Sequence, residues 1–196
     1  MARKDFKIIA EWVKQDSRIL DLGCGDGTLL KILNKERNSS GYGVDTSIDK
    51  IIKSFDNNIN VINADINNRL DYFSDNSFDY VILAQSLQVV NDPVDLIKEM
   101  LRIGNEVIIS FPNMGYWKSR FYLFLKGQMP VTKELPYSWH STPNIHLCTI
   151  KDFKQMCRTN NFTIVEEVIS SGKDSSVSTG YFTNLLGAVS YTHLRA

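Results

Sequence analysis

Five short apolar runs, at residues 18–22, 41–45, 59–62, 78–83 and 106–111, punctuate the first 111 residues, and stretches with helical spacing separate them. The runs are continuous rather than alternating, the pattern of strands buried on both faces. Between them, Thr28 opens a stretch with Leu29, Leu30 and Leu33 on one face. Ile48, Ile51, Ile52 and Phe55 recur at helical spacing, and Leu96, Ile97, Met100 and Leu101 follow Pro93. Phe6, Ile9 and Val13 form a similar stripe over residues 5–14. Strands that alternate with helices in this way predict an α/β, doubly wound, mostly parallel seven-stranded sheet of Rossmann-like type.

Length agrees with that reading: 196 residues suit a single domain with an elaborated insertion better than two domains. Lys+Arg and Asp+Glu both number 22, so the chain lacks the electrostatic footprint of a general nucleic-acid binder, and no nucleic acid is expected as a partner. The charged N-terminus has no apolar run of signal-peptide length, and no stretch approaches the ~20 apolar residues that span a bilayer. Cys24, Cys148 and Cys157 are odd in number and form no CxxC, which argues against a disulfide scaffold or a structural zinc site. A reduced, cytoplasmic protein without a membrane partner or a bound metal is the expectation.

After residue 111 the character changes. Residues 112–148 form an aromatic insertion in which Trp117, Phe121, Phe124 and Leu125 fall at helical spacing, punctuated by Pro112, Pro130, Pro136 and Pro143. Its cations Lys118, Arg120 and Lys126 interleave with the aromatics. A lid over a ligand cleft and a surface that docks a partner protein are both compatible with it. Thr149 then reads as the N-cap of a helix to about residue 160, with Asp152 as the acid of a capping box, before a late strand over 162–169. A last strand is expected around 184–189. Residues 189–196 resemble translated adapter sequence and are set aside as a non-native tail, which leaves one domain over 1–188.

The chemistry lies at the carboxyl ends of the early strands, where open α/β sheets bind ligands. Asp21-Leu22-Gly23-Cys24-Gly25-Asp26-Gly27 has the spacing GxGxG, not the GxGxxG of dinucleotide binders. Acids surround it: Asp21 before it, Asp26 within it, and Asp45 twenty residues after Gly25. Carboxylates repel a diphosphate but suit a ligand with an ammonium, a sulfonium and ribose hydroxyls, and S-adenosylmethionine carries all three. Asp45 can accept both ribose hydroxyl protons, Asp65 can accept from the adenine amino group, and the Ile66 N–H can reach a ring nitrogen. Glycine at Gly23 and Gly25 lets the backbone turn sharply beside a close ligand.

Residues 18–111 resemble the class I S-adenosylmethionine-dependent methyltransferase family. More narrowly, the chain to about residue 187 resembles the MetW family of methionine-biosynthesis proteins. The stretches that carry this are DLGCGDGTLL at 21–30, NSFDYV at 76–81, EMLRIG at 99–104, FPN at 111–113, LKGQMP at 125–130 and TPNIHLCT at 142–149. The resemblance implies a role in methionine biosynthesis in association with homoserine O-acyltransferase, which activates homoserine. It carries cofactor contacts onto Asp21, Gly23, Gly25, Asp45 and Asp65, with Asp21 helping to position the methionine ammonium. Gln88 and Val89 stand where many small-molecule methyltransferases have a histidine pair, so no catalytic base is evident and no catalytic residue is assigned.

Two readings follow: an S-adenosylmethionine-binding accessory protein of homoserine activation, or an active small-molecule methyltransferase whose acceptor fits under the insertion. Acyl transfer by the chain itself is disfavoured, because no GxSxG elbow occurs and His146 with Cys148 reads as a packing histidine beside a buried thiol.

Overall fold

The computed structural model describes residues 4–68, 70–132, 135–171 and 183–195. Seven strands form one sheet: β1 Arg18–Leu22, β2 Ser40–Asp45, β3 Val61–Asn63, β4 Phe78–Ala84, β5 Gly104–Pro112, β6 Thr163–Ser170 and β7 Val189–Arg195. Their order is β3-β2-β1-β4-β5-β7-β6, with β1 to β5 mutually parallel and β7 antiparallel to both neighbours. The expected doubly wound, mostly parallel seven-stranded sheet is what forms. The order reverses between β1 and β4, and ligands of open α/β sheets bind at such a reversal.

Alternate residues of each strand feed two cores. Ile19, Tyr80, Ile82, Ile108 and Tyr191 pack with Phe6, Ile9 and Val13 from the N-terminal segment, which includes α1 Lys4–Trp12, and with Leu29, Leu30 and Leu33 of α2 Thr28–Arg37. Leu20, Leu22, Val81, Leu83, Val107 and Ile109 face the other way, onto Leu96, Ile97 and Met100 of α4 Pro93–Ile103 and Phe153 and Cys157 of α6 Ile150–Thr159. Both start signals read from sequence are present. Asp92 accepts from the N–H groups of Val94 and Asp95 ahead of Pro93, and Thr149 and Asp152 form the reciprocal capping box. Arg102 at the end of α4 bonds Glu99 of its own helix and pins the loop between β3 and β4 through Asp75 and the carbonyls of Leu70 and Phe73.

Two helices leave apolar residues in solvent, and one strand is displaced from its expected position. The apolar residues of α3 Ile48–Asp56 do not share a buried face: Ile51 is buried, whereas Ile48, Ile52 and Phe55 are exposed. Trp117, Phe121 and Phe124 of α5 Trp117–Lys126 are exposed, Tyr122 is half-buried, and the one buried residue is Ser119. The last strand lies at Val189–Arg195 rather than 184–189, and the segment set aside as a tail supplies it; Thr183–Leu186 is a single helical turn, α7. As an inner strand, β7 buries Ser190 to Leu194 on both faces.

Candidate functional site

The loop after β1 turns through three left-handed glycines, Gly23 (φ 72°), Gly25 (φ 61°) and Gly27 (φ 74°), and delivers the chain into α2. Only glycine adopts this conformation without steric cost. The N–H groups of Gly23 and Cys24 both donate to the Val44 carbonyl, at 2.7 and 3.1 Å, which ties the turn to the end of β2. Asp26 Oδ1 accepts from the backbone N–H and the hydroxyl of Thr28, and these bonds lower its carboxyl below the usual range. Asp26 therefore serves the start of α2.

Asp45, 8% exposed, ends β2 beside this turn. Its Oδ2 accepts from the Gly25 N–H and its Oδ1 from the Ser47 N–H, each at 2.8 Å. Two backbone donors hold the carboxylate in one orientation and leave further lone pairs on both oxygens. Asp65 follows β3, exposed, with Oδ1 accepting from the backbone and side-chain amides of Asn67.

Gly23, Asp45, Asp65 and Ile66 line one cavity of about 470 Å³ with Lys50, Gln85, Ser86, Gln88, Tyr137 and Asn144. That size falls within the range of small-molecule sites. Asp21 is 2% exposed and is not part of the cavity wall. Gly25 is also off the wall. A side chain there would meet only the Lys50 Cδ at 3.9 Å, so its glycine is required by φ rather than by crowding. At Gly23 crowding does matter, because an added Cβ would stand 2.7 Å from the Ser86 Oγ.

The rest of the wall comes from two places. Gln85 (φ 58°) and Ser86 leave β4, and Gln88 lies in the single 3₁₀ turn that follows, at Leu87–Val89. The Gln88 carbonyl accepts from the N–H groups of Ile145 and His146, at 2.8 and 3.1 Å, which holds the insertion over the site and brings Tyr137 and Asn144 to the wall. A left-handed Gln leaves no sequence signal, because the residue type does not favour it. Beside this cavity lies a smaller one of about 200 Å³, lined among others by Met114, Met129, Leu135, Trp139 and Leu147, and sharing Tyr137 and Asn144 with the first.

The chemistry available is recognition of polar hydroxyl and amino groups by fixed carboxylates. A thiolate is not available: burial pushes the Cys148 thiol up to about 12 and raises Cys24 further, with the Asp21 and Asp45 charges adding to it. His146 Nε2 lies 3.2 Å from the Asn91 carbonyl. Among the described residues no cluster of His, Cys, Asp and Glu could hold a metal ion, and no helix is long and apolar enough to cross a membrane.

The model for the family "Methionine biosynthesis protein MetW" matches residues 3–193. A bifunctional methionine biosynthesis protein MetXA/MetW of Rhodopirellula baltica is 37% identical over 173 residues, 84% of this chain, and the chain spans 28% of that protein's length. A demethylmenaquinone methyltransferase of Listeria welshimeri is 25% identical over 90% of this chain and 86% of its own. Among solved structures, an S-adenosylmethionine-dependent methyltransferase of Mesorhizobium loti superposes with a TM-score of 0.71 at 16% identity, covering 97% of this chain and 96% of its own. That last likeness is one of fold alone.

Proposed function

This chain belongs to the methionine biosynthesis protein MetW family, and from that premise we propose that it binds S-adenosylmethionine in the 470 Å³ cavity and acts with homoserine O-acyltransferase in the activation of homoserine. The observation that carries the ligand reading is Asp45. It is nearly buried, clamped by two backbone N–H groups, and keeps acceptor capacity on both oxygens at the cavity wall, as a vicinal diol requires. Asp65 keeps Oδ2 for an amino group, and the Ile66 N–H stands beside it for a ring nitrogen. Gly23 gives the backbone its approach, Gly25 donates to Asp45, and the buried Asp21 at the end of β1 adds negative charge that favours an ammonium.

When bound, S-adenosylmethionine supplies an electrophilic methyl on a sulfonium. The chain's own residues bind and orient. Gln88, a neutral amide that donates to the Gln85 carbonyl, offers no base at the position where a histidine would stand. This favours a binding role for the cavity. The resemblance to MetW implies the acyltransferase partner, and the relative that carries MetXA and MetW in one chain supports a partner held close. The three free thiols fit a cytoplasmic setting.

Titration calorimetry with S-adenosylmethionine and its demethylated product tests the ligand. Binding is expected, with Asp45→Ala weakening it roughly 10- to 100-fold through lost hydrogen bonds to a charged acceptor. No binding, or unchanged binding in the variant, overturns the assignment. A second reading, an active methyltransferase, is favoured by the smaller cavity that shares Tyr137 and Asn144 with the first, a place for an acceptor of mixed polar and apolar character. Turnover with purified candidate acceptors decides it.

A further inference from the structure

Helix α5 leaves its apolar stripe in solvent. A surface helix ordinarily buries its apolar stripe and exposes its polar residues. In α5 Trp117, Phe121, Phe124 and Leu125, at the i, i+4, i+7, i+8 positions of one stripe, are 45%, 56%, 83% and 63% exposed, while the buried residue is Ser119. The cause lies in how the helix is held. Its entry is fixed from behind: Asn113 donates through Nδ2 to the carbonyls of Asn184 and Gly187 and accepts through Oδ1 from the Gly115 N–H, and Arg120 Nε donates to the Gly115 carbonyl at 2.6 Å. The helix is thus anchored at its first turn and stands out from the body, with Lys118, Arg120 and Lys126 exposed alongside the aromatic stripe. An exposed aromatic face of this density marks an interaction site.

We infer that the outward face of α5 is where homoserine O-acyltransferase docks, an inference that rests on the partnership proposed above. Three observations select that occupant. In the Rhodopirellula baltica relative the MetW-like part spans 28% of a chain named for MetXA as well. A covalent tether of that kind holds two parts at high effective concentration, which favours contact between them. The face carries the exposed aromatics Trp117, Phe121 and Phe124, residue types enriched at protein interfaces. Its charge is one-sided: residues 112–132 contain Lys118, Arg120 and Lys126 and no acid, and Lys126 lies 4.6 Å from the Tyr122 ring centroid. The partner therefore presents an apolar pocket with an acidic rim. A lipid surface is less well matched, since three cations give little attraction to anionic headgroups.

The insertion also links this face to the ligand cavity. Residues 137 and 144 line the cavity, and the backbone of Ile145 and His146 is bonded to Gln88. Docking on α5 therefore sits within the same insertion that walls the ligand.

The test is co-expression of the full chain with the homoserine O-acyltransferase of the same genome, followed by affinity capture of either protein and measurement of affinity by calorimetry. The variant is Phe121→Glu with Phe124→Glu, and Phe55→Glu on α3 serves as a control at another exposed apolar position. Wild type and the control should form the complex. The double variant should lose roughly tenfold or more in affinity while keeping S-adenosylmethionine binding and its circular dichroism spectrum. A complex of unchanged affinity with the double variant overturns the docking face and leaves the partnership standing. Failure of wild type to form any complex overturns the partnership itself. Self-association, or binding to phosphatidylglycerol vesicles, that the double variant abolishes while the acyltransferase complex survives, overturns the inference in favour of a second copy or a lipid surface.

Discussion

Gly23 shows how one residue serves two masters. Its φ of 72° is the conformation the turn requires, and its missing side chain makes room for Ser86 from the end of β4. Gly23→Ala is expected to cost about 1–3 kcal/mol, through strain and through displacement of Ser86. The melting temperature should fall by several degrees for a chain of this size. Adding Ser86→Gly should recover the steric share and leave the backbone share, and a thermal-unfolding double-mutant cycle separates the two. The sequence suggests Asp21, Gly23, Gly25, Asp45, Asp65 and Ile66 as one set around the early strand ends. It does not show which of them share a cavity: Gly23, Asp45, Asp65 and Ile66 line one wall, and Asp21 and Gly25 are not part of it. Spacing reports proximity along a chain, whereas the side of a turn that faces a cavity is set by hydrogen bonds such as that from Gly25 to Asp45.

Among elements, those with strong local signals were read well. The capping box of α6, the helix start at Pro93 and the apolar stripe of α2 formed as expected. Helices α3 and α5 were legible as helices, but spacing left open which side the core claims, because periodicity reveals that a helix has two sides without saying which faces inward. β7 was displaced for a different reason. Residues 189–196 were set aside for their resemblance to adapter sequence, so the last strand was expected at 184–189, whereas Val189–Arg195 pairs between β5 and β6. A chain ending at Ala188 lacks that strand, which leaves β6 without its ladder and the apolar edge of β5 open. Such a truncation is expected to populate an expanded, partly folded state, with increased dye binding and loss of the near-ultraviolet circular dichroism of Tyr191's surroundings.

The whole molecule carries a pH dependence in the groups that join β5 to β7. His193 Nε2 lies 2.7 Å from Glu106 Oε2, and Arg195 bonds the other Glu106 oxygen. Burial holds the imidazole below its ordinary value of 6.5 despite the pull of Glu106. Burial alone would raise the Glu106 carboxyl, yet the bond from Arg195 and the charges of His193, Arg195 and Lys14 keep it below 4.5. In both cases the unfolded chain takes up the proton first. Stability is therefore full above 6.5, falls as pH drops through the histidine window, and falls again below 4.5 as Glu106 is titrated. Melting temperatures measured between about pH 7.5 and about pH 5 should decline, and His193→Gln should flatten that upper step while leaving the acid step in place. A flat profile in the wild type would count against a buried neutral histidine.

The order β5-β7-β6 also sets a timetable. During synthesis β6 leaves the ribosome before the strand that must lie between it and β5. For that interval it can pair only wrongly, by closing directly on β5 or on another chain. The sheet is thus finished from the inside and last of all, and the rate at which residues 189–195 slide into the gap governs how long the nascent protein stays open to aggregation.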